Sequence, residues 1–214
     1  MKNVNVMRAA VLMGHGDIDQ LQVREDMPIP RPGREEVLIR VGASAVNNTD
    51  INTRVGWYSQ SRSEADAAWS GNPMKFPRIQ GADCCGQITS VGSAIDPARI
   101  GERVLVRTMQ EPVNVDGDLI PITLGSEIEG AFAEYLSVRA SEAFVIDSPL
   151  DDAELASFPC SYSTAEGLLQ RARVGAERVL ITGASGGVGS AAVQLAVMRG
   201  ASVVAATTGV RADD

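Results

Sequence analysis

The chain has 214 residues, of which 44% are hydrophobic and 21% charged, a composition typical of a globular protein with one large or two small domains. Its net charge of -8 at pH 7 argues against a nucleic-acid partner, because an acidic surface repels phosphate backbones. No apolar run approaches the roughly 18 residues of a membrane span, and the N-terminus lacks a secretory h-region, so we expect a cytoplasmic protein without membrane contact.

The first 147 residues predict an all-β fold of short strands separated by Gly/Pro turns. Strands are predicted over 8–14, 21–25, 36–46, 85–92, 103–107 and 130–138. In the third of these, Val37, Ile39 and Val41 alternate with the residues between them, which is the period of a half-buried strand. Residues 60–75 and 109–125 are predicted to be loops. The whole region favours a compact β-barrel.

The pattern then changes to alternating helices and strands. Asp151 and Glu154 have the spacing of a capping box, which predicts a helix start. Further on, the sequence predicts a helix over 161–173, a strand over 178–182, a helix over 190–199 that ends at Gly200, and a strand over 201–206. The last three elements make one strand-helix-strand unit. We therefore expect a β domain over 1–148 and the beginning of a Rossmann dinucleotide-binding domain over 149–214.

A glycine-rich loop joins the predicted strand to the helix of this unit. It contains Gly183, Gly186, Gly187, Val188 and Gly189. Glycines in this context allow a tight turn, let the backbone approach a pyrophosphate, and let helix and strand pack closely. The helix N-terminus then offers free N–H groups to the anion. The alternative is a glycine-rich turn without a ligand.

The end of the second strand of this unit indicates which dinucleotide binds. NAD sites commonly place Asp or Glu there to bind the ribose hydroxyl. Here Ala206, Thr207 and Thr208 are neutral, and Arg211 follows. Hydroxyls and a guanidinium suit a 2′-phosphate, so we predict NADP(H), with NAD(H) as the less favoured cofactor. Otherwise Arg211 is a solvated surface residue.

Together, six segments resemble the medium-chain dehydrogenase/reductase family. They are MRAAVL (7–12), EEVLIRVGASAVNNTD (35–50), IQGADCCGQITSVG (79–92), IGERVLV (100–106), GAFAEYLSV (130–138) and VLITGASGGVGSAAVQLA (179–196). The resemblance implies a GroES-like β-barrel catalytic domain, a Rossmann domain, and an oxidoreductase that acts on a small carbonyl or quinone substrate. It also implies that such chains continue well beyond Asp214, and that the intact full-length chain is a homodimer.

Zinc-binding members of this family carry three catalytic ligands, and two of the matching positions here cannot bind zinc. Asn47 stands at the position of the first cysteine and Ala82 at that of the histidine, so only Cys160 matches. Because a catalytic zinc requires three protein ligands, the resemblance is to the zinc-free quinone oxidoreductase branch. The cysteine-rich lobe of the structural zinc is also missing, since residues 93–125 contain no cysteine.

The three cysteines and the single histidine have simpler interpretations. Cys84 and Cys85 are adjacent, so on a strand they face opposite sides, and we interpret all three thiols as small buried hydrophobes. A metal site of Asp83, Cys84 and Cys160 is the alternative. His15 lies in a Gly-His-Gly turn and is interpreted as a solvated loop residue.

The resemblance to the zinc-free branch also assigns the catalytic residues. Such enzymes transfer a hydride from NADPH to a quinone or an enone, and Asn47 and Tyr58 would donate hydrogen bonds to the developing oxyanion. Alternatively, Tyr58 is a packing aromatic and Asn47 a turn residue. Asp50 is interpreted as a structural hydrogen-bond acceptor rather than a base. Thr164 either contacts the nicotinamide or caps a helix.

Two other functions remain open at this point. The first is a zinc-dependent alcohol dehydrogenase, which differs in its metal content. The second is a non-catalytic or inactive cofactor-binding fragment, because a partial Rossmann domain buries little surface and exposes strand edges.

Overall fold

The computed structural model describes residues 6–59, 74–115 and 117–207. Two compact units divide the chain between Pro159 and Cys160. Within these described ranges, no helix combines the length and the apolar character that crossing a membrane requires.

The first unit consists mainly of antiparallel strands. Its elements are β1 (Val6–Leu12), β2 (Leu21–Pro28), β3 (Glu36–Ala43), α1 (Asn48–Arg54), β4 (Arg78–Ile79), β5 (Cys85–Val91), β6 (Arg103–Val106), β7 (Met109–Val115), β8 (Asp118–Thr123), β9 (Tyr135–Arg139), β10 (Ala143–Val145) and α2 (Asp152–Ala156). They form a five-stranded sheet of order β10-β6-β5-β3-β9, a three-stranded sheet of order β2-β1-β4, and the hairpin β7-β8. The short helix α1 follows β3 and carries the candidate site.

The five-stranded sheet packs one face into the main hydrophobic core. In β3, Val37 and Ile39 are fully buried while Arg40 is exposed, so the predicted alternation is confirmed. Ile88, Val104 and other apolar side chains of the neighbouring strands complete this core. Burying a side chain of this size contributes about 1.5–3 kcal/mol, which fixes the register of β3 and therefore the point at which the chain enters α1.

Residues 109–125 were predicted to be a loop, and this prediction was wrong. They form the hairpin of β7 and β8, in which Val113 pairs with Ile120 and the chain turns at Gly117. Each strand contains a proline, Pro112 or Pro121, which weakens the strand signal in the sequence. Both prolines are tolerated because each strand of a two-stranded sheet has a free edge.

The second unit is the beginning of a parallel α/β fold. Its elements are α3 (Pro159–Arg171), β11 (Arg178–Thr182), α4 (Gly187–Met198) and β12 (Ser202–Ala206). Strands β11 and β12 are parallel, with Leu180 opposite Val204, and Gly200 has a φ of 85° after α4. The predicted strand-helix-strand unit and its glycine stop are thus confirmed.

Helix α2 explains why the first unit extends past residues 148–150, where the sequence analysis places the boundary. The capping box is present: the Glu154 N–H donates to Asp151 Oδ1, and the Asp151 N–H donates to Glu154 Oε2, both at 2.8 Å. The helix buries Leu155 and Ala156 against Cys85 of β5. Its apolar side is therefore part of the β unit.

Candidate active site

Helix α1 begins at Asn47, whose extended backbone makes it the N-cap residue. The Asn47 N–H donates to Asp50 Oδ2 at 2.8 Å, which satisfies a backbone donor at the start of the helix. Asparagine is among the preferred N-cap residues. The turn role that the sequence left open for Asn47 is thus present, as a capping box with Asp50.

Asp50 connects α1 to the segment that precedes β5. Its side chain is 6% exposed, and its Oδ1 accepts from the Ala82 N–H at 3.0 Å. Its backbone oxygen accepts from Gln80 Nε2, also at 3.0 Å. Burial raises the pKa of Asp50 to about 6, although the hydrogen bonds from Asn47 and Ala82 act in the opposite direction. These bonds agree with the structural role expected for Asp50.

We expect Asp50→Asn to lower the melting temperature and to remove a pH dependence of stability. The parent carboxyl binds its proton more tightly when folded, with a pKa of about 6, than in the unfolded chain, where it is near 3.8. Stability should therefore fall by about 2 kcal/mol as the pH rises from 4 to 6, and level off near pH 7. Asparagine does not titrate, and its NH₂ group leaves one backbone N–H without an acceptor. Melting curves between pH 4 and 7 measure both effects.

The matched control is Asp118→Asn, at an exposed position. It should keep the parental change of melting temperature with pH. If Asp50→Asn keeps the parental melting temperature and its parental change with pH, the Asp50 carboxylate contributes nothing to stability.

The side chain of Asn47 is held by Asp83. Asn47 Nδ2 donates to Asp83 Oδ2 at 2.7 Å, and Thr108 Oγ1 donates to Asp83 Oδ1 at 3.2 Å. Asp83 is completely buried, and its backbone oxygen accepts from Ser44 Oγ. The amide nitrogen of Asn47 faces Asp83 Oδ2, which accepts this hydrogen bond. Within the described residues the second N–H of the Asn47 amide makes no hydrogen bond and can bind another group.

The contact of Asp83 with Asn47 was not predicted from the sequence, where Asp83 was only a candidate metal ligand. A signal was present, because a carboxylate next to two cysteines at the start of a buried strand needs a polar partner. The sequence did not show which residue this partner is.

Tyr58 lies near the same helix. Its hydroxyl is 3.0 Å from Thr49 Oγ1, and its ring meets Trp57 edge to face at 5.3 Å between centroids. Thr49 belongs to the first turn of α1, two residues after Asn47. Tyr58 is half-buried, so its ring packs while its hydroxyl has a polar neighbour. Both predicted donors therefore belong to one local structure.

The glycine loop has the geometry of a phosphate-binding turn. Gly183 has a φ of 64°, a left-handed conformation that favours glycine. A Cβ atom at Gly189 would lie 2.1 Å from the Gly183 carbonyl oxygen, so the start of α4 can pass the loop only because this side chain is absent. At Gly187 a Cβ would lie 2.9 Å from Ser161 Oγ. Gly186 is the N-cap and supplies no side-chain hydrogen bond to the helix.

This loop fits the pyrophosphate of a dinucleotide. The first N–H groups of α4 have no intrahelical acceptors, and an anion placed there would bind them and the positive end of the helix dipole. Val188 is half-buried and packs against the core of the second unit. The residues present would therefore hold the phosphates through their backbone.

The other predicted cofactor residues are placed as follows. Thr164 lies in α3 and its Oγ1 donates to the Cys160 carbonyl oxygen at 2.7 Å, so its proton is used within the helix while its oxygen can still accept. Thr207 follows β12 and is exposed. Thr208 and Arg211 lie outside the described residues.

With this geometry in place, comparison with known proteins decides the family. Residues 33–148 match the alcohol dehydrogenase GroES-like domain. The chain belongs to this family. The fold predicted from the resemblance, a GroES-like domain followed by the beginning of a Rossmann domain, is confirmed.

Relatives of this alcohol dehydrogenase-like chain are oxidoreductases. It is 29% identical to an NADPH-dependent alkenal/one oxidoreductase of Arabidopsis thaliana, over 94% of this chain and 47% of the relative. It is 32% identical to the quinone oxidoreductase of Homo sapiens, over 89% and 50% of the two chains. The crystal structure of a candidate alcohol dehydrogenase from Sinorhizobium meliloti 1021 is 43% identical, with a TM-score of 0.85 over 94% and 57%. The chain thus spans about half the length of the curated relatives it matches.

Cys84 and Cys85, at the start of β5, are buried on opposite sides of the strand, as the sequence predicts. Cys84 is buried in the main core, and Cys85 is buried on the other side against α2, where its Sγ lies 3.5 Å from Asp152 Oδ1. Burial raises the pKa of both thiols, that of Cys85 to about 11. Cys160 is only half-buried, so the interpretation of all three thiols as buried hydrophobes was wrong for this one. Across the residues that the structure describes, no three His, Cys, Asp or Glu side chains are grouped to bind a metal ion.

The interpretation of His15 as a solvated residue was wrong. Its Nδ1 is 2.8 Å from the Thr53 carbonyl oxygen, and its ring packs edge to face on Phe76 at 5.0 Å. The neighbouring Gly16 N–H donates to the Arg54 carbonyl oxygen, so the turn folds back onto the end of α1. Turn composition alone gave no sign of this contact.

Proposed function

We propose that this chain supplies the catalytic domain and the phosphate-binding loop of an NADP(H)-dependent oxidoreductase that reduces quinones or enones without a catalytic zinc. The observation that carries the proposal is the Asn47–Asp83 hydrogen bond: an amide, oriented by a buried carboxylate, stands where zinc-binding family members carry a ligand. The names of the Arabidopsis and human relatives support the same substrate class. The odd number of cysteines, two of them adjacent, is no disulfide framework and supports a reducing cytoplasmic location.

Each residue has a defined task in this proposal. The bound cofactor supplies the hydride. The N–H groups from Gly187 to Gly189 bind its pyrophosphate and so fix its position. The free N–H of Asn47 and the hydroxyl of Tyr58 donate to the substrate carbonyl oxygen, where negative charge builds. Asp83 keeps the Asn47 amide from rotating, and Thr49 does the same for the Tyr58 hydroxyl.

We expect NADPH to bind at least about tenfold more tightly than NADH to a version of the protein that continues through the whole cofactor domain. The 2′-phosphate would meet the hydroxyls of Thr207 and Thr208 and the guanidinium of Arg211, and each hydrogen bond to a charged group contributes roughly 1.5–3 kcal/mol. Fluorescence titration with both cofactors measures the difference. Arg211→Ala should reduce it, and equal affinities in the parent would refute the NADP(H) assignment.

Two rival functions are tested with the same preparation. Stoichiometric zinc that is lost together with turnover on chelation would establish a zinc-dependent alcohol dehydrogenase, in line with the relatives that carry that name. The second rival is a non-catalytic fragment, which is supported because the chain covers only about half of its relatives' length. In that case the 214-residue chain should not oxidise NADPH with any quinone or enone. Turnover restored by a C-terminal extension would show that activity needs residues beyond the half that this chain shares with its relatives.

A further inference from the structure

The turn between β1 and β2 packs against the C-terminal end of α1. His15 Nδ1 lies 2.8 Å from the Thr53 carbonyl oxygen, and since a carbonyl oxygen only accepts hydrogen bonds, Nδ1 is the donor. Beside this contact, Gly16 and Arg54 bind each other twice. The Gly16 N–H donates to the Arg54 carbonyl oxygen, and Arg54 Nη1 donates to the Gly16 carbonyl oxygen, both at 2.8 Å. These three hydrogen bonds join the turn to the last residues of the helix.

The His15 ring also contacts the residue that changes the direction of the chain after α1. Gly56 has a φ of 70°, the left-handed conformation that favours glycine, and it leads directly into the short 3₁₀ helix Trp57–Ser59. A Cβ atom at Gly56 would lie 3.1 Å from His15 Cγ, so the ring lies directly against this glycine. The same ring packs edge to face on Phe76. It therefore limits how far Gly56 can move.

The two candidate oxyanion donors have separate supports. Tyr58 comes two residues after Gly56, so the place of its side chain depends on this turn, and its hydroxyl is 3.0 Å from Thr49 Oγ1. Asn47 stands at the other end of α1, where its amide is held by Asp83. The segment before β5 thus supports Asn47, whereas the turn between β1 and β2 supports the end of the helix from which Tyr58 follows.

We propose that His15 is a positioning residue: it holds Gly56 and the end of α1 so that the Tyr58 hydroxyl stays beside Thr49, where it can donate to the substrate carbonyl oxygen. Its effect on turnover rests on the proposed function, but its hold on Tyr58 can be measured without a substrate. Such an indirect role is effective because a misplacement of about 1 Å can cost about a hundredfold in rate.

The first measurement is ¹⁹F NMR of the 214-residue chain labelled with 3-fluorotyrosine. The chain contains three tyrosines, and each resonance is assigned by its Tyr→Phe variant. His15→Ala should shift or broaden the Tyr58 resonance and leave those of Tyr135 and Tyr162 in place. His15→Asn offers an N–H in place of Nδ1 and should restore the parental spectrum, and Asp17→Asn, at an exposed position of the same turn, should not change it. An unchanged Tyr58 resonance in folded His15→Ala would overturn the proposal.

The second measurement is steady-state turnover with NADPH and a simple quinone in the extended protein. His15→Ala should lower kcat about ten- to a hundredfold with KM less affected, and His15→Asn should recover most of this loss. Because His15 acts through Tyr58, adding His15→Ala to Tyr58→Phe should cost no further activity, whereas adding it to Asn47→Ala should cost its full factor. The same full loss in both backgrounds would contradict a role through Tyr58.

A further variant covers the case in which His15→Ala does not fold. His15→Phe keeps a ring beside Gly56 but has no N–H for the Thr53 carbonyl oxygen, so it should also shift the Tyr58 resonance and lower kcat. A parental resonance together with parental kcat in this variant would overturn the proposal. If instead the extended parent reduces neither quinones nor enones, the proposed function fails, while the ¹⁹F spectra still decide whether His15 holds Tyr58.

Discussion

Gly189→Ala should weaken NADPH binding by a hundredfold or more. The new Cβ would lie 2.1 Å from the Gly183 carbonyl oxygen and 2.8 Å from the Ala184 Cα. Both are backbone atoms that cannot rotate away, so the start of α4 must move. Its N–H groups then leave the phosphate position, and the loss of two charge-assisted hydrogen bonds at roughly 1.5–3 kcal/mol each corresponds to at least this factor. Fluorescence titration with NADPH, in a version that includes the rest of the cofactor domain, measures the loss.

Gly167→Ala is the matched control in the same unit. It lies in α3, and a Cβ there meets no atom within 4 Å. Alanine in a helix interior is favoured over glycine by about 0.5–1 kcal/mol, so this variant should bind NADPH normally and melt slightly higher. If Gly189→Ala keeps the parental affinity, the close approach of α4 to the loop has no part in cofactor binding.

Asn47→Ala and Tyr58→Phe should each lower kcat by about ten- to a thousandfold, with KM less affected, because each removes a donor to charge that develops mainly in the transition state. The measurement is steady-state turnover with NADPH and a simple quinone in the extended protein. Asn47→Ala also leaves the buried Asp83 without one donor, at a cost of about 1–3 kcal/mol. Melting curves must therefore accompany the kinetics.

Two neighbouring substitutions serve as controls for this pair. Asn48→Ala changes an exposed residue of the same helix, and Tyr135→Phe removes a hydroxyl in β9. Both should retain parental kcat. Near-parental turnover in Asn47→Ala and Tyr58→Phe would show that hydride delivery depends on cofactor positioning alone. If the two variants lose turnover because they no longer fold, Asn47 and Tyr58 have a structural role only.

Sequence periodicity predicted the elements that repeat an apolar pattern. Strand β3 alternates the buried Val37 and Ile39 with more exposed residues, and α4 has three buried alanines at helical spacing, so both elements were predicted. Helix α1 was not predicted, since its seven residues bury only Asp50 and Thr53 and have no apolar period. Its position depends on hydrogen bonds from Gln80 and Ala82, which are distant in sequence.

In the candidate site, too, contacts between residues distant in sequence were not predicted. Residue type and resemblance identified Asn47 and Tyr58, but not the groups that hold them. Asp83 is 36 residues from Asn47, and the two meet only because β3 and β5 pair in the five-stranded sheet. Such contacts between distant residues follow from tertiary structure and have no local sequence signal. The four glycines of the candidate phosphate loop were predictable because their constraint is local.

Cys84 and Cys85 face opposite sides of the sheet, so the accessibility of each thiol reports a different unfolding step. Cys85 is shielded by α2, so release of that short helix alone exposes its thiol, whereas Cys84 becomes accessible only when the five-stranded sheet opens. Native proteins open in separate steps of different free energy. Mass-resolved thiol trapping at these neighbouring positions would therefore distinguish detachment of a peripheral helix from collapse of the sheet, without any engineered label.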